Sequence, residues 1–92
     1  MTIRKPGIAG TLESSDIMIT IKPADEIMVN LISSVSQFYG ESIMATIKAV
    51  LEESGVKGAE VEAVDHGALD CTIRARVYAA VERACEKEVK GR

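Results

Sequence analysis

Aromatic side chains are scarce in this chain of 92 residues: there is no tryptophan, with two tyrosines and one phenylalanine. Recognition of single-stranded RNA relies on stacking against such rings, so RNA is a poor fit as a partner. Basic charge is also short. Eleven Lys and Arg stand against 14 Asp and Glu, a net charge of −3, and no basic run exists. That balance argues against nucleic acid in general. No apolar stretch approaches the ~18 residues of a membrane span, so no membrane partner is expected. The opening residues carry Arg4 and Lys5 but no continuous apolar segment follows them. A secretory signal is not expected, and the cytoplasm is the expected compartment.

Metal and catalytic chemistry lack raw material. The chain holds one histidine, His66, and two cysteines, Cys71 and Cys85. No CxxC or HxxxH spacing is present, so no metal site is expected. The two cysteines are expected as reduced, small apolar fillers. His66 lies between Asp65 and Gly67, a turn composition, and is expected to be exposed. Without a second histidine, a Cys-His-acid arrangement for nucleophilic catalysis by this chain alone is not expected. The seven glycines form neither a GxGxxG fingerprint nor a P-loop.

What remains is ordinary globular composition, 47% hydrophobic and 27% charged. The length gives one small domain over residues 1–92, burying little more than ~60% of the surface of its unfolded chain. Residues 1–16 contain Pro6, Gly7, Gly10, Thr11, Ser14 and Ser15 without sustained periodicity. They predict an extended, flexible arm. Ile17, Ile19 and Ile21 then alternate with Met18, Thr20 and Lys22, which predicts a half-buried strand. Pro23-Ala24-Asp25-Glu26 breaks it. Alternation resumes with Ile27, Val29, Leu31, Ser33 and Val35, suggesting an antiparallel hairpin.

A helix is predicted next, capped through Ser34 and Gln37 or through Ser36. Its stripe is Tyr39, Ile43, Ile47, Val50 and Leu51, and Gly55 is its stop. Residues 56–65 predict a strand, followed by the Asp65-His66-Gly67 turn. Leu69, Cys71, Ile73, Ala75 and Val77 alternate with Asp70, Thr72, Arg74 and Arg76. This predicts a strand over 69–75. The same stretch also spaces Leu69, Ile73, Val77, Val81 and Cys85 by four, which a single longer helix would satisfy. A helix follows from Arg76, and the charged tail 86–92 is expected to fray. The predicted fold is α+β, ββαββα, a four-stranded mainly antiparallel sheet with two helices on one face. The other face would carry Thr20, Lys22, Asn30, Thr72, Arg74 and Arg76.

One stretch exceeds what folding requires: Ala9-Gly10-Thr11-Leu12-Glu13-Ser14, then Asp16, after Pro6. With Ser33-Ser34-Val35, the Phe38 and Gly40 region, Gly67-Ala68-Leu69-Asp70-Cys71 and Arg74-Ala75-Arg76, it resembles the acyl carrier (gamma) subunit family of citrate lyase over nearly the whole chain. The resemblance implies a carrier that is not catalytic alone. It implies that Ser14 bears 2'-(5''-phosphoribosyl)-3'-dephospho-CoA through a phosphodiester. The thiol of that group would hold acetyl and citryl thioesters for the alpha (acyl transferase) and beta (citryl lyase) subunits, which convert citrate to acetate and oxaloacetate. A prosthetic-group transferase and an acetate ligase acting on the thiol are further implied partners.

The family commonly has glycine after the modified serine, where this chain has Ser15. Arg74 and Arg76 are candidates to meet cofactor phosphates or a catalytic subunit, against a plain reading as solvated sheet-face arginines. Glu13 and Asp16 are awkward neighbours for an anionic arm. The alternatives are the related malonate decarboxylase carrier, which uses the same group, and a noncatalytic protein-interaction module. The ordinary four-helix acyl carrier is disfavoured, because its Asp-Ser-Leu is absent here.

Overall fold

The computed structural model describes residues 2–33 and 36–85. In chain order they form β1 (Gly7–Ala9), β2 (Ile17–Lys22), β3 (Ile27–Ser33), α1 (Ser36–Glu53), β4 (Ala59–Asp65) and α2 (Asp70–Cys85). The strands make one sheet in the order β1-β2-β4-β3. The β1–β2 and β2–β4 pairs are antiparallel, and β3–β4 is parallel. The α+β class, the four-stranded and mainly antiparallel sheet, and the two helices on one face agree with the sequence.

The core lies between the sheet and the helices. Ile17, Ile19 and Ile21 of β2 are fully buried, with Val61 of β4 beside them. Ile47, Val50 and Leu51 of α1 and Val77, Ala80 and Val81 of α2 close over them. Burying each large aliphatic side chain is worth roughly 1.5–3 kcal/mol before ordering costs. The expected α1 stripe holds except for Tyr39, which is 61% exposed. α1 ends where expected. Val56 N–H donates to Leu51 C=O at 2.9 Å and Gly55 N–H to Glu52 C=O at 3.0 Å, around a left-handed Gly55. Capping by Ser34 and fraying of 86–92 lie outside the described residues.

The structure corrects the plan in three places. First, residues 69–75 are not a strand. From Asp70 they are the first half of α2, with Ile73 buried and Cys71 and Ala75 exposed. Cys71 is therefore a surface thiol and not a filler, whereas Cys85 does pack against the core. Thr72, Arg74 and Arg76 consequently leave the open sheet face. That face keeps Thr20, Lys22 and Asn30, as expected, and carries Met18, Met28 and Ile32 beside them. Second, β2 and β3 form no hairpin, because β4 is inserted between them. Third, the leader is not a free arm. Its residues 7–9 are β1, and Ile3 is buried. Arg4 N–H donates to Ala84 C=O at 2.8 Å. A Cβ on Gly7 would stand 2.5 Å from the Ala80 carbonyl oxygen, so glycine facing alanine lets this edge strand lie against α2.

Candidate functional site

Residues 10–16 connect β1 to β2 and carry Ser14, which is exposed. The loop is held at both ends by its own sequence. Gly10 has φ +94°, and a Cβ there would run into the Ile17 carbonyl oxygen, so only glycine fits. Thr11 Oγ1 accepts from Glu13 N–H at 3.2 Å and donates to Asp16 Oδ2 at 2.6 Å. Asp16 Oδ1 accepts from its neighbour Ile17 N–H at 2.7 Å. Each residue type in Gly-Thr-x-x-Ser-x-Asp, the serine apart, is therefore explained by loop geometry.

Two further ties fix the loop to the rest of the fold. Ser15 N–H donates to His66 C=O at 2.8 Å, and His66 N–H donates to Asp16 C=O at 2.9 Å. Arg76 grips Asp16 from α2, Nε to Oδ1 at 3.0 Å and Nη2 to Oδ2 at 2.9 Å. This two-pronged pairing matches guanidinium to carboxylate and is a strong form of charge-assisted hydrogen bond. Arg76, followed by Thr11 and the Ile17 N–H, holds the Asp16 carboxyl well below the ordinary carboxylate range. Asp16 itself is 8% exposed. Sequence reasoning left Asp16 unexplained. Its charge is matched by a cation 60 residues away.

Arg74 points to the other side of α2. It pairs with Glu53 of α1 at 2.7 Å, and Tyr78 donates to the same carboxylate at 3.1 Å. Both arginines expected on a solvated sheet face thus lock elements together. The turn after β4 is built in the same manner. Buried Asp65 accepts from Ser33 Oγ at 2.8 Å, Gly67 N–H at 3.1 Å and Ala68 N–H at 3.0 Å. His66 is exposed in this turn, as expected.

Among the polar side chains of the loop, this bracing leaves Glu13, Ser14 and Ser15 unused. The Ser14 hydroxyl makes no hydrogen bond among the described residues. Ser15, next to it, has φ +64°, in the left-handed region where glycine is at ease. The glycine that the resembled family has at this place therefore has a backbone reason. At the turn between β4 and α2, a groove of about 440 Å³ runs between α1 and α2, with Tyr39, Ile43, Ala68 and Leu69 among its lining. Among the described residues, no three His, Cys, Asp or Glu side chains converge as a metal site.

A small α+β domain presenting a pinned loop with exposed, unengaged serine hydroxyls has the form of a carrier. The family model described as ACP, malonate decarboxylase delta subunit (MdcD), matches residues 4–84. Among curated proteins, the chain is similar to the citrate lyase acyl carrier protein of Streptococcus mutans, with 53% identity over 97% of this chain and 89% of the relative. The Haemophilus influenzae citrate lyase acyl carrier protein is 44% identical over 97% of this chain and 94% of its own length. A Pseudomonas malonate decarboxylase hetero-tetramer contains a chain of the same fold, with TM-score 0.69 and 17% identity over 89% of this chain and 90% of that one. The chain belongs to the citrate lyase acyl carrier protein family. It is a carrier subunit, not an enzyme on its own.

Proposed function

We propose that this chain is the acyl carrier of a citrate lyase and that Ser14 Oγ is its attachment point for phosphoribosyl-dephospho-coenzyme A. In this reading it presents acetyl and citryl groups to alpha and beta subunits in the cytoplasm, after loading by a prosthetic-group transferase and an acetate ligase. The observation carrying the reading is the exposed, unengaged Ser14 hydroxyl on a loop whose Thr11 and Asp16 side chains serve its geometry. The residues fit the group. A phosphodiester on Ser14 meets no side chain that already uses that oxygen. Arg76, the cation of the loop, is occupied by Asp16, so the phosphates of the arm are not drawn down onto the surface. Exposed Glu13 adds mild repulsion, screened beyond about 8 Å at physiological salt.

When attached, the group supplies the thiol for acyl-thioester chemistry. The chain supplies position. Gly10, Thr11 and Asp16 set the path of the loop, Arg76 and the His66 carbonyl anchor it, and Ser14 faces outward for an attaching enzyme. Tethering then keeps the reacting group at high local concentration.

Intact-mass spectrometry on protein co-produced with its own operon tests this, followed by mapping of the peptide spanning residues 1–22. The expected result is one added prosthetic mass on Ser14, absent in Ser14→Ala. Prosthetic mass on Ser14→Ala moves the assignment to Ser15 or ends it. The matching family description makes malonate decarboxylation the second reading, and turnover of citrate against malonate by the assembled complex separates the two.

A further inference from the structure

β3 is an edge strand with none of the usual guards against pairing. Its seven residues, Ile-Met-Val-Asn-Leu-Ile-Ser, include no charge and no proline. Among the described residues it has a sheet neighbour on one side only. The opposite edge is treated differently, since β1 has three residues and Arg83 donates to the Ile8 carbonyl. A long, uncharged, apolar edge is a template for another strand.

The side chains of β3 carry the same message. On the helix side, Ile27, Val29 and Leu31 are only half-buried, while Ile19, Val61 and Ala63 in the same layer are fully buried. Shallow apolar troughs lie against them, one lined by Leu31, Met44 and Ala45, another by Ile27, Leu51 and Val56. On the open face, Ile32 is 70% exposed and Met28 is 46% exposed.

The backbone fixes which groups point outward. Glu26 C=O accepts from Ala59 N–H at 3.0 Å. Alternation along a parallel ladder then turns Met28 and Asn30 toward β4, and turns the N–H and C=O of Ile27, Val29 and Leu31 away from the sheet.

We propose that β3 pairs antiparallel with β3 of a second copy of this chain, on a two-fold axis through Asn30, joining two four-stranded sheets into one of eight. The strand is self-complementary about that residue. Val29 falls opposite Leu31 and exchanges both backbone hydrogen bonds with it. Met28 falls opposite Ile32. Asn30 meets its own copy at a narrow, non-hydrogen-bonded position on the open face, where two amides can bond each other. A slip of two residues would set Asn30 against Met28 or Ile32, so the asparagine also selects the register.

Charge on α1 agrees. Beside Leu31, α1 presents Glu41, Met44, Ala45 and Lys48. Glu41 and Lys48 flank the Met44–Ala45 pair symmetrically. The same two-fold brings Glu41 of one copy toward Lys48 of the other, and a like-charge encounter is avoided. This pairing is independent of what Ser14 carries.

Sedimentation velocity on the full chain over a micromolar concentration series tests the proposal, with circular dichroism confirming that each variant is folded. The wild-type chain is expected to be a dimer. Asn30→Lys sets two ammonium groups at the axis while facing Glu62 within its own sheet, and is expected to be a folded monomer. Glu41→Lys or Lys48→Glu alone should weaken the dimer, and the two together should restore it. As a second measurement, Asn30→Cys in a Cys71→Ser, Cys85→Ser background should cross-link copies on oxidation. A wild-type monomer across the series overturns the proposal. So does a dimer indifferent to Asn30→Lys, or a β3 edge that binds a catalytic subunit and never its own copy.

Discussion

The Asp16 carboxylate and the Arg76 guanidinium meet through two hydrogen bonds, 3.0 and 2.9 Å, across 60 residues of chain. One end belongs to the serine loop and the other to α2. The pair therefore ties the local conformation around Ser14 to the completed fold.

Replacing Arg76 by glutamine removes the cation and leaves the Asp16 carboxylate largely enclosed without it. The loop is expected to loosen more than the core. Cleavage after Glu13 by a glutamate-specific protease should accelerate several-fold, with far-ultraviolet circular dichroism unchanged. Prosthetic loading should slow in the same variant, because the attaching enzyme meets a less ordered loop. Equal protease rates for the two proteins would contradict the anchoring role.

Acid titration carries its own expectation. Arg76 holds the folded-state pKa of Asp16 below the ordinary carboxylate value of 3.8. The unfolded chain then takes up the proton first as pH falls. Stability from this pair is complete above the ordinary value and is lost progressively below it, toward the depressed folded value. Urea midpoints measured between neutral pH and pH 2 should fall more steeply for the wild type than for Asp16→Asn.

Ser15 sits at φ +64°, which a serine adopts at a cost. Ser15→Gly relieves it, and the gain is partly offset by greater freedom in the unfolded chain. A net stabilisation of up to about 1 kcal/mol is expected, read as an increase in Tm. Loading at Ser14 should persist. Ser15→Val, β-branched at the same φ, should lower Tm.

Gly7→Ala drives a methyl group toward the Ala80 carbonyl oxygen and the Ala84 nitrogen, both backbone atoms. Destabilisation of about 1–3 kcal/mol is expected from such overpacking, measured by chemical denaturation. Amide exchange should increase first at Ala9 and Arg4, where the leader is attached to the sheet and to α2.

The elements with local signals were legible in the sequence. β2 and β4 show clean alternation, and α1 shows its stripe and its glycine stop. The stretch from Leu69 to Val77 misled because Leu69, Ile73 and Val77 satisfy a period of two and a spacing of four equally. Only the exposure of Cys71 and Ala75 separates the readings, and exposure is a tertiary fact. β1 is three residues long, too short for any period, and it exists because Gly7 fits against α2. The insertion of β4 between β2 and β3 left no mark in either strand. The exposure of Ser14 was legible in the small and polar residues around it, and its attachment role is a proposal. The role of Asp16 was not, because its partner lies in another block of the sequence.

The ties that run from the Ser14 loop to His66 and to α2 turn the leader into a mounting and not a tether. A group fixed there, as proposed for Ser14, swings from a stationary pivot, so its reach is bounded by the length of the appended arm. In that reading, any active sites it serves must all open within one such reach of Ser14. That is a demand on the architecture of the neighbours, imposed by seven residues of this small domain.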